Sequence, residues 1–196
     1  MDVTDGTAAG ARDMTDFVAN LAEANNVAPT AVLEDIASNT EVFAKFGKEG
    51  AENFIKTSIA AKKLGIDMSS ITSAAEGLLD IEGSISKQME AEVLLGRQLN
   101  LDAARQAALQ GDYLTLTKEL ANQVGSVAEF NQMNAIQQQA LADSLGMSVA
   151  DTRKMVENQD KLAGLSEEAL NHYKETGEIQ EASNSCLLYT SPSPRD

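Results

Sequence analysis

The sequence predicts an all-α fold, a multi-helical bundle of short antiparallel helices with no sheet, on three observations. Apolar residues recur every three to four positions nearly throughout, as in Leu116, Leu120 and Val124 or in Ile85, Met89 and Val93. No stretch alternates apolar and polar residues for long enough to make a strand. The breaks between periodic runs repeat one grammar. A Gly or Asn that tolerates the left-handed conformation comes first, then an apolar residue, then a short polar residue or a proline.

Taken in order, a flexible N-terminus is expected at 1–10 and a first helix near 11–25. It stops at Asn26-Val27-Ala28-Pro29, where Pro29 suits a first helical turn because its missing N–H has no partner to lose there. A short pair follows at 30–46. Glycine breaks at Gly47 and Gly50 precede a helix at 51–64, which ends at Gly65-Ile66-Asp67 with Ile66 placed to staple onto Ile71. One long helix is expected over 69–95, carrying the stripe Ile85, Met89 and Val93. Asn100-Leu101-Asp102 opens a helix at 102–110, and Gly111 separates it from 113–124. Beyond Gly125, Ser126 to Glu129 is a capping box opening 127–145, whose stripe runs through Phe130, Met133, Ile136/Gln137, Ala140 and Leu141. Gly146-Met147-Ser148 leads into 149–163, with Ser148 to Asp151 a weaker box. Leu165-Ser166, stapled to Leu170, leads into 167–176, and Glu178 to Ala182 begins one more helix. The grammar's four instances lie 39, 35 and 46 residues apart between Asn26, Gly65, Asn100 and Gly146, too uneven for a solenoid.

The C-terminal residues are of another kind. Cys186 to Asp196 (CLLYTSPSPRD) resemble a translated sequencing adapter: Cys186–Ser191 back-translates to a transposon mosaic end, and Pro192–Asp196 to the adapter arm that follows it. The expected organisation is therefore a helical fragment of a longer protein at 11–185 and a non-native tail at 186–196, which is set apart from fold reasoning. Without the tail no cysteine remains, and Pro29 is the sole proline. No disulfide, thiolate metal site or thiol nucleophile is then available. The tail holds one Arg and one Asp, so the balance of 15 basic against 30 acidic residues becomes 14 against 29, still −15.

That acidity argues against direct nucleic-acid binding, which needs a clustered basic surface. The cations, among them Lys45, Lys48, Lys56, Lys62, Lys63, Arg97, Arg105 and Lys118, are scattered among carboxylates. No apolar run approaches the roughly 18–20 residues of a membrane span. With aromatic content at 4% and no tryptophan, the core must be built from Leu, Ile, Val, Met and Ala.

The search for chemistry returns no catalytic, cofactor-binding or metal-ligating residue, no cofactor, and no enzyme. His172 is the lone histidine, beside Tyr173 in a polar helix. Glu76, Asp80, Glu82, Glu90 and Glu92 lack the Glu-x-x-His pairs of a carboxylate metal bundle and read as a solvated face. Asp80-Ile81-Glu82-Gly83 lacks the alternating oxygen ligands of a calcium loop. Gln139–Met155 has the small and apolar positions of a helix-turn-helix (Ala142, Gly146, Met147, Met155), but Asp151 opens the would-be recognition helix and only Arg153 and Lys154 are basic there. A DNA-binding regulator is thus one alternative, and a generic helical protein-interaction module another.

The run Ala44–Asp112, with EAEVLLGRQLNLD at Glu90–Asp102 and Gln110-Gly111-Asp112 as its most distinctive parts, followed by EFNQMNAIQQQALADSLGMSV at Glu129–Val149, resembles phage tail tape measure proteins. The resemblance spans roughly residues 15–160. It implies a helical structural protein of the virion, housed inside the tail and in the host cytoplasm during assembly. Its implied roles are tail-length determination, tail assembly and genome ejection. The implied partners are tube, baseplate and assembly-chaperone proteins and further copies of the chain. At a rise of about 1.5 Å per residue, ~185 helical residues would span at most ~280 Å. Helices broken this often read as a compact segment of such a protein and not as its measuring rod.

Overall fold

The computed structural model describes residues 8–40 and 47–159. Among these residues are ten helices and no strand: α1 (Ala8–Ala24), α2 (Pro29–Ser38), α3 (Gly47–Lys63), α4 (Met68–Leu79), α5 (Ile81–Leu95), α6 (Asp102–Gln110), α7 (Tyr113–Gln123), α8 (Val127–Gln132), α9 (Ala135–Ser144) and α10 (Val149–Asn158). The all-α expectation holds. The adapter-like tail, His172, the Leu165–Leu170 staple, the helix at 167–176 and the end of the pair at 30–46 lie outside the described residues.

Most breaks follow the local grammar. Asn26, Gly65, Gly111, Gly125 and Gly146 all take positive φ. Ser126 and Glu129 close their capping box, and Ser148 accepts from the Asp151 N–H at 3.0 Å. Several expectations need correction. Gly50 lies inside α3 and breaks nothing, while Gly47 is the first residue of that helix. α1 begins at Ala8, inside the span expected to be flexible. Asn100 is not left-handed; Gly96 ends α5 instead, and the Asn100 side chain accepts from the Asp102 N–H. The long helices at 69–95 and 127–145 are each two. Asp80 caps α5 by accepting from the Gly83 N–H, and a Cβ at position 83 would collide with that carboxylate. Asn134 and Gln137 form a second capping box, which starts α9 afresh.

Two hydrophobic clusters result. The larger gathers Leu64, Ile66, Ile71, Leu78, Leu101, Leu116, Leu120, Phe130, Leu141, Leu145 and Met155 with many alanines between them. The smaller joins Val18, Leu21 and Ala22 of α1, Val32 of α2 and Ile55 and Ile59 of α3. α3 serves both, since Ala61 one turn further on belongs to the larger cluster. Ile66 and Ile71 are buried together there, as a staple across the α4 cap requires.

A carboxylate locks the two clusters together. Asp35, on α2, is 5% exposed. It accepts from Ser58 Oγ of α3 at 2.8 Å and from the Met68 N–H, the first of α4, at 3.1 Å. Lys62 Nζ lies 3.5 Å away and also pairs with Asp67. Asp67 occupies the cap position of α4 without capping it, so the cap comes from α2 instead. Burial by itself would lower the Lys62 pKa; the hydrogen bond to Asp67 and the charges of Asp35 and Asp67 outweigh it and raise the pKa.

A second constraint is the close approach of α4 to the α9–α10 turn. A Cβ on Gly146 would sit 3.0 Å from Ala74 Cα and 3.1 Å from the Ala74 carbonyl oxygen, and one on Gly77 would sit 3.3 Å from Gly146 Cα. Only residues without side chains beyond a methyl fit that crossing.

Asp35→Ala strands the Ser58 hydroxyl and the Met68 N–H and leaves Lys62 with Asp67 alone, so chemical denaturation is expected to show a loss of about 3 kcal/mol, against about 1 kcal/mol for Ser58→Ala. Gly146→Ala should cost about 2–4 kcal/mol, through its φ of +69° and the Ala74 backbone. Gly111→Ala, at φ +70° with nothing within 4 Å, should cost about 1 kcal/mol. Equal losses at the two glycines would show that the Ala74 contact carries no energy.

Candidate functional site

Helix α5 is where the surface departs from an ordinary solvated exterior. Its inner face is polar. Arg105, on α6 and 7% exposed, donates from Nε to Ser84 Oγ at 3.0 Å, from Nη2 to Gln88 Oε1 at 2.7 Å and from Nη1 to Asp102 Oδ1 at 3.0 Å. Gln88 Nε2 donates to the Leu99 carbonyl at 2.7 Å and to Glu92 Oε1 at 2.8 Å, and Glu92 also accepts from the Leu99 N–H at 3.0 Å. These bonds hold the α5–α6 connection against α5 through side chains. They engage three of the five N–H donors of the guanidinium.

The adjacent face, about 100° round the helix from Ser84, Gln88 and Glu92, is apolar and exposed. Ile81, Ile85, Met89 and Val93, four residues apart, form a ridge along the whole helix, with Met89 62% and Val93 83% exposed. The Ile85–Met89–Val93 stripe has the period of a core face, and the structure turns it to solvent. Its physical reason is the polar network: Ser84 and Ala91 are the residues α5 buries, and the bonds of Ser84 and Gln88 to Arg105 of α6 and of Gln88 and Glu92 to Leu99 of the connection turn the apolar row outward. By contrast, Leu116, Leu120 and Val124 are fully buried as their period implies. Phe130, Ala140 and Leu141 are buried too, while Ile136 is exposed because the break at Asn134 resets the helical phase.

Carboxylates flank the ridge. Glu82 and Glu90 are exposed in the adjacent row of α5, with Ser86 between them. On the α6 side stand Glu92 and the 90% exposed side chain of Asp102. Of the acidic stretch read from the sequence, Glu76, Asp80, Glu82 and Glu90 are exposed and Glu92 is half-buried. On the far side of α5, Lys87, Glu90 and Leu94 border an open groove of about 430 Å³ with Ile136, Gln139 and Asp143 of α9.

The helix-turn-helix of Gln139–Met155 forms as α9, a turn and α10, with Ala142, Met147 and Met155 buried. Its two cations are engaged locally. Arg153 lies over the Phe130 ring, 5.3 Å from its centroid, and Lys154 faces Asp151 at 3.4 Å.

Among the described residues, no group of three or more His, Cys, Asp or Glu side chains could hold a metal ion. No described helix is long and apolar enough to cross a membrane. Comparison with protein-family models, with characterised proteins and with solved structures finds no match.

Two carboxyls are held below their usual value of 4.5. For Glu92 the main cause is the Gln88 side-chain hydrogen bond, followed by the Leu99 N–H. For Glu129 it is the Ser126 backbone N–H, followed by the Ser126 hydroxyl. A folded-state pKa below the unfolded one contributes stability that is complete above the unfolded value and is lost as pH falls through the folded one. Denaturation midpoints are therefore expected to drop as the pH falls below 4.5. A Glu92→Gln/Glu129→Gln double variant should show a shallower drop, and an unchanged slope would refute these two caps as a source of the acid sensitivity.

Proposed function

We propose that this chain is a segment of a phage tail tape measure protein, a structural component of the virion that takes part in tail-length determination, tail assembly and genome ejection. The observation that carries this reading is the resemblance of Ala44–Asp112 and Glu129–Val149 to that family. The helical character of the described residues is compatible with a structural role. On this reading the segment lies in the tail interior, reaches it from the host cytoplasm, and touches tube, baseplate or chaperone proteins and other copies of the chain. It is a compact bundle within the longer protein and contributes far less length than the rise of about 1.5 Å per residue of a continuous helix. No enzymatic step is assigned to it, and no nucleic acid is expected to bind it directly.

A second reading, a helical protein-interaction module unconnected with phage tails, is favoured by the apolar ridge on α5. Mass spectrometry of purified tailed particles whose genome encodes the chain separates the two. Peptides from Ala44–Asp112 are expected in the particle, at the low copy number of an axial protein. Their absence from particles with intact tails would sink the tape measure reading. In the same preparation, an in-frame deletion of Met68–Asn158 should shorten tails by much less than the ~135 Å that its 91 residues would span as one helix.

A further inference from the structure

We infer that the outer face of α5 is a docking surface for a basic amphipathic helix. The ridge Ile81, Ile85, Met89 and Val93 is continuous, and no described element covers it. It sits on a helix that packs on α9 and α4 and is pinned by the Arg105 network. An apolar row on a rigid helix offers anchors to the matching row of a partner helix, which recognises it through residues three to four positions apart.

Charge decides the partner's chemistry. Glu82 and Glu90 line one flank of the ridge, and Glu92 and Asp102 stand on the other. The cation nearest in the fold, Arg105, is turned inward and spent on Ser84, Gln88 and Asp102. Lys87 is directed to the groove shared with α9. A helix with lysines or arginines beside its apolar row would therefore meet carboxylates on both sides. A second copy of this chain would not. An antiparallel pair through the ridge aligns Ile81 with Val93 and Ile85 with Met89, but it also sets Glu82 against Glu92. The net charge of −15 adds repulsion to such a pair. This assignment stands on the α5 surface alone and does not depend on the tail reading.

The test uses the full chain and two synthetic helical peptides of about 18 residues, long enough to sustain helix. Both carry leucine at every fourth position; one has lysine rims and the other glutamate rims. Fluorescence anisotropy is expected to show saturable binding of the lysine-rimmed peptide below about 100 μM, weakening several-fold between about 50 and 300 mM salt. Met89→Glu/Val93→Glu changes only exposed side chains, so its circular dichroism melt should match the parent while affinity falls at least about tenfold. Glu82→Lys/Glu90→Lys should transfer preference to the glutamate-rimmed peptide. Three outcomes overturn the proposal: equal affinity for both peptides, no binding at about 1 mM, or sedimentation showing self-association that Met89→Glu/Val93→Glu abolishes.

Discussion

The buried carboxylate of Asp35 ties together parts of the chain that would otherwise be held only by shared apolar surface. From α2 it reaches the hydroxyl of Ser58, the ammonium of Lys62 and the first N–H of α4. An ionised group is costly to take out of water unless its oxygens are fully bonded, and here three donors from two other elements meet it. The position of α2 over α3, and of α3 before α4, follows from that requirement. The smaller cluster around Val18, Val32, Ile55 and Ile59 is thereby fixed to the larger one.

With no tryptophan and few aromatics, the larger cluster gains density by close approach of backbones. Ala74, Ala75, Ala91, Ala104, Ala107, Ala121 and Ala142 are all buried. Where α4 meets the α9–α10 turn the approach leaves no room for a Cβ on Gly146. Small residues permit short interhelical distances, and every backbone atom so buried must find a hydrogen bond within its own helix or cap. That explains why short helices with well-made caps, at Asp80, Asp112, Ser126, Asn134 and Ser148, suit this core better than a few long ones.

Helix α5 inverts the usual division of faces. It sets a buried hydroxyl and a half-buried amide against a buried arginine and displays isoleucine, methionine and valine. A fully satisfied polar network rigidifies the helix it holds. A rigid helix with an exposed apolar row and acidic flanks is a surface whose composition makes sense only in contact with another molecule. The groove toward α9 carries a cation, Lys87, and in the helix-turn-helix Arg153 and Lys154 are engaged locally while Ala142, Met147 and Met155 are inside, so neither has that combination.

The sequence by itself determined the helical class and most of the breaks, because these depend on local chemistry. A left-handed Gly65 or Gly146, or a serine three residues before Glu129, acts over one turn whatever surrounds it. The break at Asn134 was legible in the same terms, as Asn three residues before Gln137, although the apolar period running across it pointed to one helix. The glycine at 83 that makes room for the Asp80 cap was a fainter signal of the same kind. Which face of each helix is buried was decided only by the tertiary structure. Period alone assigns Ile85, Met89 and Val93 to a core just as it does Leu116, Leu120 and Val124. The difference lies in Arg105, 21 residues from Ser84, and in Asp35, 33 residues from Met68. Such long-range polar bonds are worth more than the burial of a few apolar side chains, because leaving their partners unpaired inside the protein costs more than leaving methyl groups in water.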